Sequence, residues 1–192
     1  LCLEHATDLI EVNEDVFLLQ NPKDLGNAPR EQRIAGAAKE AEGLWQILFI
    51  HSDGEGDPDR VMAERVEPGL HCLNEIYGNR GIGVAVIPVR ETEAWTLTDG
   101  DALRTVFGTN QSNEDLGIPA TPRQSEGLLD PKKALDTAYA ATNPTGRRAR
   151  AGASALLGQL GQEVSLPLLR QTPSFARTES ALLAALRRLG VL

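Results

Sequence analysis

LWQILFIHSDGEGDPDR, residues 44–60, decides how the chain is read. A mostly apolar run (44–50) stops at four acids, Asp53, Glu55, Asp57 and Asp59, with Gly54 and Gly56 set between the first three. A near-continuous run of this kind, rich in Ile and Leu, is the pattern of a strand buried on both faces, as in a parallel sheet. A second such run, IGVAVIPV (82–89), follows it, and a shorter one, DVFLLQ (15–20), precedes it.

The intervening segments read as helices. PREQRIAGAAKEAEG (29–43) opens on Pro29, is rich in Ala and Glu, and closes on Gly43, which are start and stop signals. PDRVMAERVEPGLHCLNEIYGNRG (58–81) is mainly helical, with a break or kink expected at Pro68-Gly69. Crossovers of this kind join parallel strands and are almost always right-handed. All strand C-termini then share one edge, where α/β proteins place their ligands. The expected fold class is α/β, a parallel sheet flanked by helices with a helical C-terminal region.

Past the third run, ETEAWTLTDGDALRTVFG (91–108) reads as helical segments around a turn at Asp99-Gly100, and 109–130 as an exposed polar loop. DPKKALDTAYAAT (130–142) is a helix opening at Pro131, and TNPTGRRARAG (142–152) a basic connector. ARAGASALLGQLG (149–161) and SFARTESALLAALRRLG (174–190) complete the helices.

Charge divides the chain. Residues 1–115 hold 9 Lys/Arg against 22 Asp/Glu, and residues 116–192 hold 10 against 5, which together give the net −8. The expected organisation is an α/β core over 1–115 and a basic, mainly helical region over 116–192. An acidic first part is a poor general surface for nucleic acid, whereas the basic second part can supply phosphate contacts. No apolar stretch approaches the roughly 20 residues that span a bilayer, so no membrane partner is expected. The first residues carry acids where a basic leader segment would be needed. Cys2 and Cys72 make neither a disulfide framework nor a zinc pattern. A cytoplasmic location is expected.

The acids gain meaning from this placement. Asp53, Glu55 and Asp57 follow the run at 44–50, and Glu91 and Glu93 follow the run at 82–89. Neighbouring strands lie about 5 Å apart, so both groups arrive at one edge. Clustered carboxylates repel unless solvated, protonated or neutralised by a cation. Hard oxygen donors without a Cys/His set point to Mg²⁺ or Mn²⁺, with Ca²⁺ the weaker fit. Read alone, DGEGDPD serves equally well as a solvated acidic turn, and Glu91 and Glu93 as an acidic helix start. Trp95 reads first as core packing, and His51, in or just after a buried strand, as a core histidine or one that supports a metal ligand, rather than a ligand itself. The EF-hand, P-loop and dinucleotide patterns are absent. Lys132, Lys133, Arg147, Arg148 and Arg150 are expected mostly to face solvent, and to bind phosphates if folded toward the acidic edge.

Taken together, HSDGEGD, PVRETEAW, DPKKAL and TPSF resemble an incompletely characterised bacterial family with a TOPRIM-like (topoisomerase–primase) Rossmannoid fold. That family is related to OLD-type nucleases and associated with phage defence and mobile elements. The resemblance covers roughly 44–180 and implies a Mg- or Mn-dependent enzyme acting on nucleic-acid phosphodiesters, with a defence ATPase as a protein partner. Carried over by motif, it implies metal binding by Asp53, Glu55 and Glu93, with Glu91 or Asp57 coordinating or activating water. Lys132 or Lys133 would sit near phosphate, with Arg147 and Arg148 as further phosphate contacts. The family's strand ending in Glu-Gly has no counterpart before DVFLLQ, because Glu4 in LCLEHATDL does not match. Two expectations follow: an upstream segment that carries it, or a non-catalytic relative serving as an interaction subunit. A phosphohydrolase of small phosphate esters is a third reading.

Overall fold

The computed structural model describes residues 25–192. The strand expected at 15–20 lies outside the described residues. The fold is mixed α/β and mostly helical, and among the described residues the sheet has two parallel strands. The described chain divides into two compact units: residues 25–52 with Asp59–Val86 and Arg177–Leu192, and Asp53–Pro58 with Ile87–Ala176.

In the first unit, helix α1 (Arg30–Glu40) begins just after Pro29, whose extended backbone (φ −49°, ψ 149°) suits a residue that only precedes the first turn. Its Ala37 and Ala38 are buried, and Trp45 Nε1 donates to Ala38 O at 3.0 Å, satisfying a carbonyl near the helix end. Strand β1 (Ile47–His51) pairs with β2 (Ile82–Val86) in register Ile47↔Ile82 to His51↔Val86.

The helical connection begins as α2 (Pro58–Val61), widens into a π-helical turn at Met62–Val66, and continues as α3 (Glu67–Tyr77). Glu67 N–H reaches back to Met62 O. Pro68 has no N–H to donate, and of the expected break or kink the helix shows no break at Pro68-Gly69 but a widened turn just before it. Glycines set the packing distance. A Cβ on Gly69 would lie 2.6 Å from Ile34 Cδ1, and one on Gly83 would lie 2.5 Å from Leu70 Cδ2. The opposite side of β2, Ile82 and Val84, packs on Leu182, Ala185 and Leu186.

β1 departs from the expectation of burial on both faces: Phe49 is 52% exposed and His51 is exposed, whereas Ile50 is buried. His51 is therefore not a core residue. Its carbonyl accepts from Arg30 Nη2 at 3.2 Å.

The second unit is built from short helices: α4 (Glu93–Thr96), α5 (Gly100–Phe107), α6 (Pro122–Glu126), α7 (Pro131–Ala141), α8 (Gly146–Ala151), α9 (Leu157–Glu163), α10 (Leu166–Leu169) and the start of α11 (Pro173–Arg188). Their core joins Leu97, Leu103, Phe107, Leu116, Ile118, Leu135, Tyr139 and Leu160. Phe107 and Tyr139 meet edge to face with centroids 5.0 Å apart, a preferred aromatic geometry.

The expected turn at Asp99-Gly100 is the N-cap of α5. Asp99 accepts from Asp101 N–H (2.9 Å) and Ala102 N–H (3.1 Å), and its second oxygen accepts from Ser165 N–H at 3.0 Å. The segment 109–130 is not simply an exposed loop, since Leu116, Ile118, Ser125 and Glu126 are buried. A boundary at residue 115 would cut through this core. The expected connector at 142–152 contains α8.

Candidate functional site

The acidic edge lies wholly within the second unit. It is organised by the backbone. The stretch after β1 does not leave the stretch after β2: Gly54 N–H donates to Arg90 O at 3.1 Å, and Gly56 N–H to Val89 O at 2.8 Å. Asp57 N–H closes a turn on Gly54 O at 2.8 Å. The loop turns through positive φ at Glu55 (53°) and Gly56 (86°), a conformation that glycine adopts at little cost. Gly54 is required for a second reason. A Cβ there would stand 2.1 Å from Pro88 O and 2.6 Å from Val89 O.

The structure therefore joins the backbones that carry Asp53, Glu55 and Asp57 to the one that leads into Glu91 and Glu93. The first three are exposed, and each takes part in a polar or electrostatic interaction. Glu91 and Glu93 are half-buried. Glu91 Oε2 accepts from the backbone N–H of Lys132 at 3.1 Å, beside Asp130 Oδ1, which accepts from Lys133 N–H at 2.8 Å. Two carboxylates thus receive the first amides of α7, where the helix dipole favours negative charge. Glu93 opens α4, and its carbonyl accepts from Thr96 Oγ1 at 2.8 Å.

Of the expected phosphate contacts, Lys132 and Lys133 are exposed on the first turn of α7, which Glu91 ties to the edge. Arg148 is used differently. Its Nη2 donates to Phe107 O at 2.8 Å, satisfying a carbonyl at the end of α5, and its own carbonyl accepts from Tyr139 Oη at 3.1 Å. Arg147 is exposed on the same helix. Arg90 was not singled out by motif, yet its guanidinium lies over the loop, with Nη2 3.2 Å from where a Cβ on Gly56 would stand. Its place directly before Glu91 was the available signal.

The donor chemistry of the edge suits Mg²⁺ or Mn²⁺, and Mg²⁺ commonly takes only one or two protein carboxylates. Among the described residues, no three His, Cys, Asp or Glu side chains form a group that could hold a metal ion. The edge thus does not gather its carboxylates into a protein cage. A cavity of about 330 Å³ in the first unit is lined by residues including Met62, His71, Asn74, Gly83 and Arg188, and by none of the candidate acids.

ETEAW and TPSF do meet. Trp95 Nε1 donates to Ser174 Oγ at 2.9 Å, and the Trp95 ring stands edge to face on Phe175 with centroids 5.4 Å apart. The packing role expected of Trp95 is what the structure shows. Glu126, which sequence reasoning did not select, receives Ser174 N–H at 3.0 Å and also the Ser174 hydroxyl. No helix among the described residues is long and apolar enough to cross a membrane. Comparison with protein-family models, curated proteins and solved structures finds no significant match.

Proposed function

We propose that the protein is a TOPRIM-like, Mg²⁺- or Mn²⁺-dependent nuclease-like enzyme that cleaves nucleic-acid phosphodiesters in phage or mobile-element defence. The observation that carries this reading is the backbone pairing of Gly54 with Arg90 and Gly56 with Val89, which joins the two acidic segments beyond parallel strand ends. One or two of Asp53, Glu55 and Glu93 would hold the ion, Asp57 and Glu91 would orient water, and Lys132 and Lys133 would meet phosphate. A bound divalent ion would offset phosphate charge and lower the pKa of a coordinated water. The ion's remaining positions would fall to water and the substrate's own phosphates, as is usual for Mg²⁺.

A second reading, a non-catalytic TOPRIM-like interaction subunit of a defence complex, is favoured by the lack of a three-donor group among the described residues and by the use of Glu91 on α7. One experiment separates the two. Plasmid and single-stranded DNA are incubated with the protein and Mg²⁺ or Mn²⁺, alongside Asp53→Ala and Glu93→Ala. The enzyme reading expects cleavage that both substitutions abolish. Cleavage surviving both would refute the site, and no cleavage with either ion would favour the interaction subunit.

A further inference from the structure

We propose that the open edge of β2 takes an extended segment of a partner protein, a mostly apolar strand with one carboxylate for Arg188. The site belongs to the first unit alone and is independent of the metal reading.

The register decides which backbone groups are spoken for. Ile82 N–H donates to Gln46 O at 2.9 Å, and Ser52 N–H donates to Val86 O at 3.1 Å. With Ile47 opposite Ile82 and His51 opposite Val86, the even-numbered residues of β2 direct both backbone groups to β1. Gly83 and Ala85 therefore direct theirs to the other side, where neither has a hydrogen-bond partner among the described residues. Both are half-buried. Natural edges are commonly blunted by Lys, Pro or a bulge, and IGVAV (82–86), paired in unbroken register, has none of these. Such an edge is a template for another strand, and strand addition is a recurring mode of peptide recognition.

The edge opens into the cavity of about 330 Å³, lined by Gly81 and Gly83 from the strand side, Glu67, Leu70 and Asn74 from α3, and Arg188 from α11. Arg188 supplies the specificity. Its Nη2 donates to Asn74 Oδ1 at 2.9 Å and to Asn79 Oδ1 at 3.2 Å. These bonds orient the guanidinium and leave Nη1 and Nε without a partner among the described residues. A guanidinium held this way matches a carboxylate. Glu67 in the same lining opposes a second acid. A second copy of β2 has no carboxylate to offer, so self-pairing would leave Arg188 unanswered. An apolar strand with one acid answers both the backbone row and the cation.

The test uses the full chain and two fluorescein-labelled, C-terminally amidated peptides, Glu-Val-Thr-Val-Thr-Val and Val-Thr-Val-Thr-Val-Glu, with affinity read by anisotropy. Two are used because an edge admits either strand direction. At least one should bind with a Kd below about 1 mM and shift the Gly83 and Ala85 amide resonances. Arg188→Ala, or Gln in place of the peptide's Glu, should weaken binding at least about tenfold, the loss of one charge-assisted hydrogen bond. Ala85→Pro removes an outward amide while sparing the ladder to β1, and should abolish binding. If that variant does not fold, Arg188→Ala, at an exposed position, still decides.

Binding of neither peptide below about 1 mM overturns the proposal, as does binding that Arg188→Ala leaves unchanged. A dimer of the free protein that Ala85→Pro dissolves gives the edge to a second copy and overturns it too.

Discussion

The amide of Gly54 donates to the carbonyl of Arg90 at 3.1 Å, and the α-carbon of Gly54 lies so close to Pro88 and Val89 that no side chain fits between them. The contact replaces the strand ladder beyond Ser52 N–H to Val86 O, the bond at 3.1 Å that follows the last paired residues. An acidic stretch that reads as a free turn is thus pinned along one side.

Gly54→Ala should accordingly destabilise the protein. Both clashing atoms are backbone oxygens, so relief requires the loop to move, at a cost of about 3 kcal/mol, the upper end for overpacking. Urea unfolding against wild type measures it. A change below about 0.5 kcal/mol, the usual range for neutral surface sites, would mean that the loop yields freely.

The opposite result is expected in α9. Gly158 and Gly161 are exposed within this helix, neither has a positive φ, and a Cβ at either meets nothing within 4 Å. Each change to Ala should stabilise by about 0.5–1 kcal/mol through lower backbone entropy in the unfolded chain. Thermal unfolding of the single and double variants should show additive increases.

Asp99 joins two distant parts of its unit, capping α5 with one oxygen and holding Ser165 with the other. Asp99→Ala strips three amides of their acceptor in a buried setting and should cost about 2–3 kcal/mol, above an ordinary N-cap. Asp99→Asn has one carbonyl oxygen in place of two acceptors and should fall between. Equal stability of Asp99→Ala and wild type in chemical denaturation would contradict the arrangement.

Arg148 and Arg147 should part company. Arg148→Ala loses the bond to Phe107 O and should lower stability by about 1 kcal/mol, whereas Arg147→Ala, exposed on the same helix, should leave it unchanged. Parallel melting curves test this. Identical behaviour would mean that the bond to Phe107 O adds nothing to stability.

At low pH the exposed Asp115 provides a local probe. Its carboxylate is held below the ordinary 3.8 by hydrogen bonds from the Ser112 hydroxyl at 2.7 Å and the Ser112 amide at 3.1 Å. A depressed carboxylate contributes stability that is fully present above the unfolded value and is lost as pH falls through the lower folded value. Ser112→Ala should raise the Asp115 titration midpoint in NMR, narrowing that window. A midpoint that stays put would show that the Ser112 hydroxyl does not set it.

Local chemistry was enough to read a large part of the fold. The apolar runs at 44–50 and 82–89 became β1 and β2, shortened at the ends. Pro29 and Pro131 marked helix starts, and 174–190 became most of α11. These features are encoded within one turn or one strand, where periodicity, missing donors and capping groups act over a few residues. Their parallel pairing also followed, because a helical connection between adjacent strands leaves little alternative.

Tertiary structure decided the rest. The strand pattern of β1 promised two buried faces, but burial depends on what covers a strand, and Phe49 is left half open. Polar composition over 109–130 concealed Leu116 and Ile118, which reach the core because residues far along the chain close over them. The bonds from Glu126 to Ser174 and from Trp95 to Ser174 span 48 and 79 residues. No local rule pairs groups at such separations. Each is an ordinary glutamate, serine or tryptophan until folding brings the three together. For the acidic edge, the sequence determined which carboxylates arrive; the backbone joining Gly54 to Arg90 and the hydrogen bonds that occupy Glu91 decided how they are presented.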